Sequence, residues 1–312
     1  MAVNAIVAVV GSGLIGRSWG MIFARAGWQV RLWDPVSGVA AAAVSLCADG
    51  LRDLAAQGLC ADPAGSAERI GVAESLAQCL DGADFVQENG PETLDVKRAL
   101  FAEMDAAAPA GAILASSSSA IRCSLFTEGL PGRARCLVGH PVNPPHLIPL
   151  VELSGAEWTA SETIARAREI YAAIGQAPIT VVKEVEGFIL NRLQGALLAE
   201  AFRLVSEGYV SPQDLDRTVA DGLGLRWSFL GPFATIELNA PGGIADYCER
   251  YAGFYKRLAA DPPGPEVYGK AATESILSQW TAPADLPARM RWRNRRLAAL
   301  RVHKLSQEES EE

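Results

Sequence analysis

The chain has 312 residues, 49% of them apolar and 21% charged, which is enough for two domains with a sizeable core. A net charge of −8 and a pI near 5.1 argue against nucleic acid or an anionic membrane as the main partner, and no apolar stretch reaches the roughly 18–20 residues that span a bilayer. The six cysteines include no CxxC pair and no histidine at ligand spacing, so we expect free thiols in a reducing cytoplasm, without disulfides or a metal site.

The first half of the chain alternates short apolar or β-branched runs with alanine-rich helical segments, the longest of which is predicted over 39–57. This alternation is typical of an α/β fold with a mostly parallel, Rossmann-type sheet covered by helices on both faces. Strands are predicted at Ile6–Val10, Gln29–Trp33, 69–72, 84–87, 112–116 and 135–139. Two further runs, 147–153 and 179–182, flank a helix predicted at about 162–174.

The pattern changes after Val185, where strand runs give way to helical periodicity. Ser211 followed by Pro212 is a typical helix start, with a capping hydroxyl and a proline at the first helical position. We therefore predict an NAD-binding domain over 1–184 and an all-helical C-terminal domain over 185–312.

Three glycines, Gly11, Gly13 and Gly16, follow the first strand and open a helix. This spacing gives a tight turn in which the backbone and the helix N-terminus approach a dinucleotide pyrophosphate. Asp34 ends the second strand, where a carboxylate accepts hydrogen bonds from both ribose hydroxyls and repels a 2′-phosphate. No arginine follows Asp34 closely, so the sequence favours NAD over NADP.

His140 ends the sixth predicted strand, at the sheet edge where α/β proteins bind ligands. Imidazole titrates in the range that suits removal of a hydroxyl proton during alcohol oxidation. Glu152 stands in an otherwise apolar run, where a carboxylate is costly unless it is paired. We therefore expect Glu152 to hold the second nitrogen of His140.

Several motifs recur in order along nearly the whole chain: 11–16, Asp34, the serine run 116–119, 140–143, Glu152 and 187–192. Together they resemble the 3-hydroxyacyl-CoA dehydrogenase superfamily. The resemblance implies that His140 is the catalytic histidine, that Glu152 orients it, and that Ser119 and Asn191 contact the reacting substrate group. It also implies cofactor contacts at Gly11, Gly13, Leu14, Ile15, Gly16, Asp34, Glu92, Lys97 and Asn143. From position alone, Ser119 would be a polar loop residue and Lys97 part of a solvated helix face.

The superfamily divides between CoA thioesters and free acids, and the sequence favours a free acid such as L-gulonate. Residues 1–96 contain no lysine, whereas thioester enzymes resembling this chain have a lysine-rich helical region after the second strand. Arg226 stands where those enzymes have a shorter segment without the arginine, and a guanidinium suits bidentate capture of a carboxylate. A structural salt bridge is the alternative for Arg226.

The sequence leaves four functions open, of which oxidation of a free hydroxy acid ranks first. A short-chain 3-hydroxyacyl-CoA dehydrogenase ranks second to the free-acid enzyme. Carnitine oxidation ranks third, because a similar Leu-Arg-Trp-Ser-Phe segment occurs in the carnitine enzymes. A structural protein kept for bulk ranks last, since that role needs none of Ser119, His140, Glu152 and Asn191. We also expect a homodimer through the C-terminal domain, and we interpret the arginine-rich segment 289–296 as a solvated terminal helix, not a nucleic-acid site.

Overall fold

The computed structural model describes residues 5–311, which divide into two compact units. The first unit runs to Ile189 and includes the chain again from Asp285 onward, whereas the second is Leu190–Ala284. No helix in the described part of the chain is both long and apolar enough to cross a membrane.

The first unit is built on one eight-stranded sheet with the order β3-β2-β1-β4-β5-β6-β7-β8. Its neighbours pair in parallel except β6 and β7, which are antiparallel. The strands are β1 Ile6–Val10, β2 Gln29–Trp33, β3 Ile70–Val72, β4 Phe85–Glu88, β5 Ile113–Ser116, β6 Cys136–Pro141, β7 Leu150–Ser154 and β8 Ala177–Val181.

Eight α-helices belong to the described part of the first unit: α1 Leu14–Arg25, α2 Val39–Ala56, α3 Pro63–Glu68, α4 Leu76–Leu80, α5 Leu94–Ala107, α6 Ser124–Thr127, α7 Ser161–Ala173 and α14 Leu286–Glu311. The second unit consists of α8 Leu190–Ser206, α9 Pro212–Arg217, α10 Leu225–Trp227, α11 Pro232–Leu238, α12 Gly243–Ala259 and α13 Lys270–Gln279. The predicted mostly parallel α/β domain and helical C-terminal region are confirmed, with strand ends shifted by up to three residues.

The alternation of side chains along β1 divides the core between the two faces of the sheet. Val7 and Val9 belong to one buried cluster, which includes aromatic side chains of α1 and α7, whereas Ala8 and Val10 belong to the other, with α5. Since successive residues of a strand point to opposite faces, a strand buried on both faces must be apolar throughout. This pattern explains the continuous apolar run 6–10.

Helix α14 marks a difference from the predicted division at residues 184/185. Its residue Ala298 is fully buried in the cluster on the α1 face, and Leu297 packs against the same cluster. The end of the chain therefore returns to the first unit and does not stay with the helical second unit. The arginine-rich segment interpreted as a solvated helix lies on this helix, with Arg291 and Arg295 exposed and Arg293 half-buried.

Candidate active site

The glycine turn after β1 requires glycine for steric reasons. Gly11 has φ of 90°, and a Cβ there would lie 2.8 Å from the carbonyl oxygen of Asn89. A Cβ on Gly16 would collide with the carbonyl oxygen of Gly11. The turn thus packs backbone against backbone at the carboxyl ends of β1 and β4, which pair directly.

The N-terminus of α1 is open at this turn. Gly13 is the N-cap residue and provides no side-chain capping bond, and a Cβ built on it would meet nothing within 4 Å. Leu14 is exposed and Ile15 half-buried. Free amides at the positive end of a helix dipole suit the pyrophosphate of NAD, so the local structure fits the predicted cofactor.

Asp34 accepts one hydrogen bond from the glycine turn and one from its own loop after β2. The amide of Ser12 donates to Oδ2 at 2.8 Å, and the amide of Val36 donates to Oδ1 at 3.0 Å. The parallel register of β1 and β2 pairs Val10 with Trp33, so Asp34 emerges beside the turn. A carboxylate fixed here stands where the ribose of a dinucleotide lies in Rossmann folds.

His140 and Glu152 face each other across the antiparallel ladder of β6 and β7, where their Cα positions are direct partners. His140 Nδ1 lies 2.8 Å from Glu152 Oε2, and the two residues are 5% and 0% exposed. The carboxylate fixes a proton on Nδ1 and leaves Nε2 as the nitrogen for proton exchange. The sequence prediction that these two residues pair therefore agrees with the geometry.

The second oxygen of Glu152 is engaged by the segment that follows β8. The amide of Ile189 donates to Oε1 at 2.8 Å, and the Phe188 ring lies 5.4 Å from the His140 ring between centroids. Phe188 is fully buried and has φ of 48°, a left-handed conformation that is costly for an aromatic residue. The backbone turn thus presents one amide to the carboxylate and one ring to the imidazole.

Glu92 holds the serine loop that follows β5. Its Oε1 accepts hydrogen bonds from the Ser118 hydroxyl at 2.6 Å and from the amides of Ser119 and Ala120 at 2.9 and 3.0 Å. Burial opposes ionisation of this carboxyl, but the hydrogen bond from Ser118 and those from the loop amides outweigh it, so the pKa of Glu92 lies below its usual value. The carboxylate therefore fixes the backbone that carries Ser119.

A buried ion pair lies directly beneath this loop. Lys97 Nζ lies 3.1 and 3.2 Å from the two oxygens of Glu88 and 3.7 Å from Glu92 Oε2. The Ser116 hydroxyl donates to Glu88 Oε2 at 2.5 Å. Lys97 is only 1% exposed and its ammonium group contacts two carboxylates, which rules out the alternative of a solvated helix face. The NAD contact that the resemblance implies for Lys97 stays a prediction.

The remaining predicted residues lie in two places. Asn143 is exposed in the turn after β6, in the first unit. Asn191 stands in the first turn of α8 and Arg226 in α10, both in the second unit, and their part in the site stays a prediction. Sequence reasoning missed Glu88, because the run 84–88 contains two acidic residues and a glutamine and therefore lacks the signal of one carboxylate in an apolar stretch that identified Glu152.

Comparison with known proteins identifies the same two-part organisation. Residues 6–185 match the family model for the NAD binding domain of 3-hydroxyacyl-CoA dehydrogenase, and residues 187–271 match the model for its C-terminal domain. A lambda-crystallin homolog of Bos taurus is 44% identical, covering 96% of this chain and 97% of its own length. An L-carnitine dehydrogenase of Pseudomonas putida is 37% identical, covering 94% and 92%.

A solved structure supports the same assignment. The 5-dehydrogenase of 5-formyl-3-hydroxy-2-methylpyridine 4-carboxylic acid, an NAD+-dependent dismutase, superposes with a TM-score of 0.80. It is 28% identical and covers 96% of this chain and 98% of its own. The fold is therefore shared with an NAD+-dependent enzyme of known structure.

Proposed function

Because the chain belongs to the 3-hydroxyacyl-CoA dehydrogenase family and its cofactor is NAD, we propose that it oxidises the 3-hydroxyl of a free hydroxy acid, L-gulonate or a close relative. The observation that carries the proposed oxidation is the buried His140–Glu152 pair, whereas the choice of a free acid depends on Arg226. A purely structural protein needs no such pair, since a carboxylate and an imidazole are costly to bury.

In the proposed reaction, NAD supplies the acceptor for the hydride that leaves the hydroxyl-bearing carbon. His140 Nε2 takes the hydroxyl proton as general base, while the Nδ1 proton stays hydrogen-bonded to Glu152. The negative charge of Glu152 stabilises the imidazolium that forms, and the Ile189 amide holds the carboxylate in place. Asn191 and Ser119 are proposed to hold the oxygen during the transfer.

Arg226 is proposed to bind the substrate carboxylate. Among the described residues no carboxylate lies within ion-pair distance of Arg226, and its side chain is exposed, which weakens the alternative of a structural salt bridge. The relatives named for L-carnitine act on a small acid that keeps a free carboxylate, which favours the same substrate class.

The low lysine content after β2 is weaker support for a free-acid substrate than the sequence analysis indicated. Helix α14 brings Arg291 and Arg295 beside α2, so cations are present on that surface after all. The case for a free acid therefore depends on Arg226. The thioester enzyme stays the second candidate and carnitine oxidation the third.

The experiment follows NAD reduction at 340 nm with L-gulonate, 3-hydroxybutyrate, L-carnitine and 3-hydroxybutyryl-CoA. We expect the highest kcat/KM for L-gulonate or another free acid. A preference for 3-hydroxybutyryl-CoA would contradict the proposed substrate class. Lack of activity with every substrate, together with unimpaired NAD binding, would leave the structural role as the better explanation.

We also propose that the protein is a cytoplasmic homodimer that associates through the second unit. Helix α12 has no buried residue, and the exposed side chains Tyr251, Phe254, Tyr255 and Leu258 recur at helical spacing. Five of the six cysteines are buried free thiols, which suits a reducing compartment. Sedimentation velocity should show a dimer that Leu258→Asp dissociates and Glu249→Ala, on the same helix, does not.

A further inference from the structure

The second unit contains a π-helical segment, Thr218–Gly224, which joins α9 to α10. The residues at both junctions keep right-handed helical dihedrals, so the chain from Pro212 to Trp227 runs as one helix with a wider middle. In a π-helix each backbone bond reaches five residues back instead of four, and such segments are rare overall but recur at functional sites. Arg226 stands two residues after this segment.

Gly224 closes the π-helical segment and has to be glycine. A Cβ on it would lie 2.9 Å from the carbonyl oxygen of Val219, five residues earlier, so any larger residue must push that carbonyl aside. Gly222 lies in the same segment, but a Cβ there would meet nothing within 4 Å. The close approach of backbone to backbone in the wide turn therefore depends on Gly224 and not on Gly222.

The π-helical segment gains no burial in return for its two glycines. None of the seven residues 218–224 is buried, and glycine is a poorer helix former than every residue except proline. A regular α-helix would join α9 to α10 with better propensity and without the steric restriction at Gly224. A local rule broken without a gain in packing is typical of a functional site.

The wide turn sets the direction in which the side chain of Arg226 leaves the helix. One residue turns an α-helix by about 100°, so the extra residue in a π turn rotates everything after it by about 100° relative to α9. The turn that follows is fixed, because the Ser228 hydroxyl and amide both donate to the Gly224 carbonyl, at 2.8 and 2.9 Å. Arg226 lies between these two residues and is exposed, so its guanidinium changes direction if the π turn relaxes to an α turn.

We propose that Gly224 is a positioning residue for substrate specificity, because the π turn that it permits aims Arg226 at the carboxylate of a free acid. This inference rests on the proposed role of Arg226 in binding that carboxylate. A guanidinium forms two parallel hydrogen bonds with a carboxylate only when the two groups align, so a change of direction removes most of the interaction. Specificity for a free acid over its uncharged derivatives thus depends on the backbone as well as on the arginine.

The test compares Gly224→Ala with Gly222→Ala, the same substitution two residues away in the same segment. Both variants are assayed with NAD on the best free acid, which we expect to be L-gulonate, and on its primary amide, which lacks the charge. Gly224→Ala should raise KM for the acid roughly 10–100-fold with little change in kcat, and should leave KM for the amide within about twofold. Gly222→Ala should change KM for either substrate by less than about twofold.

The double variant Gly224→Ala/Arg226→Met separates positioning from a general structural effect. If Gly224 acts through Arg226, the double variant should have the same KM for the acid as Arg226→Met alone, whereas independent effects would multiply. Ser228→Ala is a second variant, and it introduces no collision because it only removes an atom. Loss of its bond to the Gly224 carbonyl should raise KM for the acid roughly 2–5-fold, and only where Arg226 is present.

Four outcomes would overturn the proposal: multiplied effects in the double variant, equal effects of the two alanine variants, an equal rise in KM for the amide, or loss of the dimer in Gly224→Ala by sedimentation velocity. If Gly224→Ala does not fold, Ser228→Ala decides by the same comparison of acid with amide. An unchanged KM in Arg226→Met for every free acid would refute the proposed carboxylate contact and this inference with it. A raised KM in Arg226→Met beside an unchanged KM in Gly224→Ala contradicts only this inference.

Discussion

The two units of the chain differ in how completely they bury their apolar side chains. In the first unit, β1 is almost entirely inaccessible, and Trp19 and Phe23 of α1 are 0% exposed. In the second unit, α12 buries no residue, and α8 buries only Val205 among its described positions. A unit with a complete core can hold charged groups rigidly, whereas amphipathic helices with exposed apolar faces need a partner surface. The acid–base pair accordingly lies in the first unit.

His140→Gln should produce the largest effect, because it removes the proton acceptor from the first unit. We expect kcat to fall by roughly 10²–10⁴, with NAD affinity nearly unchanged, since the glycine turn is untouched. His303→Gln, an exposed histidine of α14, is the matched control and should keep full activity. Wild-type turnover by His140→Gln would remove the basis of the proposed mechanism.

Breaking one buried ion pair in the first unit and one exposed ion pair in the second tests the difference in burial between the two units. Lys97→Met leaves Glu88 charged and unpaired in the core, which should cost about 3–5 kcal/mol in the free energy of unfolding. Lys270→Met breaks the exposed pair with Glu274, 3.6 Å long, in the second unit and should cost less than about 0.5 kcal/mol. Urea unfolding measures both.

A second variant separates the charge effect from simple loss of packing. Glu88→Gln in the Lys97→Met background removes the orphaned charge and should recover most of the lost stability. If the double variant were as unstable as Lys97→Met alone, the buried pair would not be the cause. Activity in the double variant should show a raised KM or lowered kcat only if Glu92, and with it the Ser119 loop, has also moved.

Features of the fold and the site that depend on one short stretch of sequence could be predicted. Glycine spacing identified the turn at Gly11, and a lone carboxylate in an apolar run identified Glu152 as the partner of His140. The burial of Lys97 was not predictable, because its partner Glu88 lies nine residues away, at the end of another element. Helix α14 belongs to the first unit because Ala298 packs in a core cluster with residues from the start of the chain. Helical periodicity predicts that a helix forms but not which distant residues it packs against.

Arg226→Met tests the proposal that the second unit binds the substrate carboxylate. Loss of one charge-assisted contact should cost roughly 1.5–3 kcal/mol, seen mainly as a raised KM for the free acid. Arg217→Met, another exposed arginine of the second unit, is the control and should leave KM unchanged. The same two variants assayed on 3-hydroxybutyryl-CoA should not differ. An equal effect of Arg226→Met on both substrates would argue against carboxylate recognition.

The smallest effect concerns the first unit alone and comes from His146. Burial, together with Arg25 and Arg293, lowers the pKa of His146 to about 4 in the folded protein, against 6.5 for the free side chain. Above pH 6.5 the side chain is neutral in both the folded and the unfolded protein, so the full stability is present. As the pH falls from about 6.5 to 4, the unfolded chain binds a proton that the folded protein does not, and stability is lost. We expect a loss of about 1–2 kcal/mol in the free energy of unfolding, because solvent screens a half-buried side chain.

His146→Asn keeps a donor towards Ser18 but cannot titrate. The difference in unfolding free energy between the wild type and this variant should therefore shrink as the pH falls from about 6.5 to 4. Parallel pH profiles for the wild type and the variant would mean that His146 gains its proton as easily in the folded protein as in the unfolded chain.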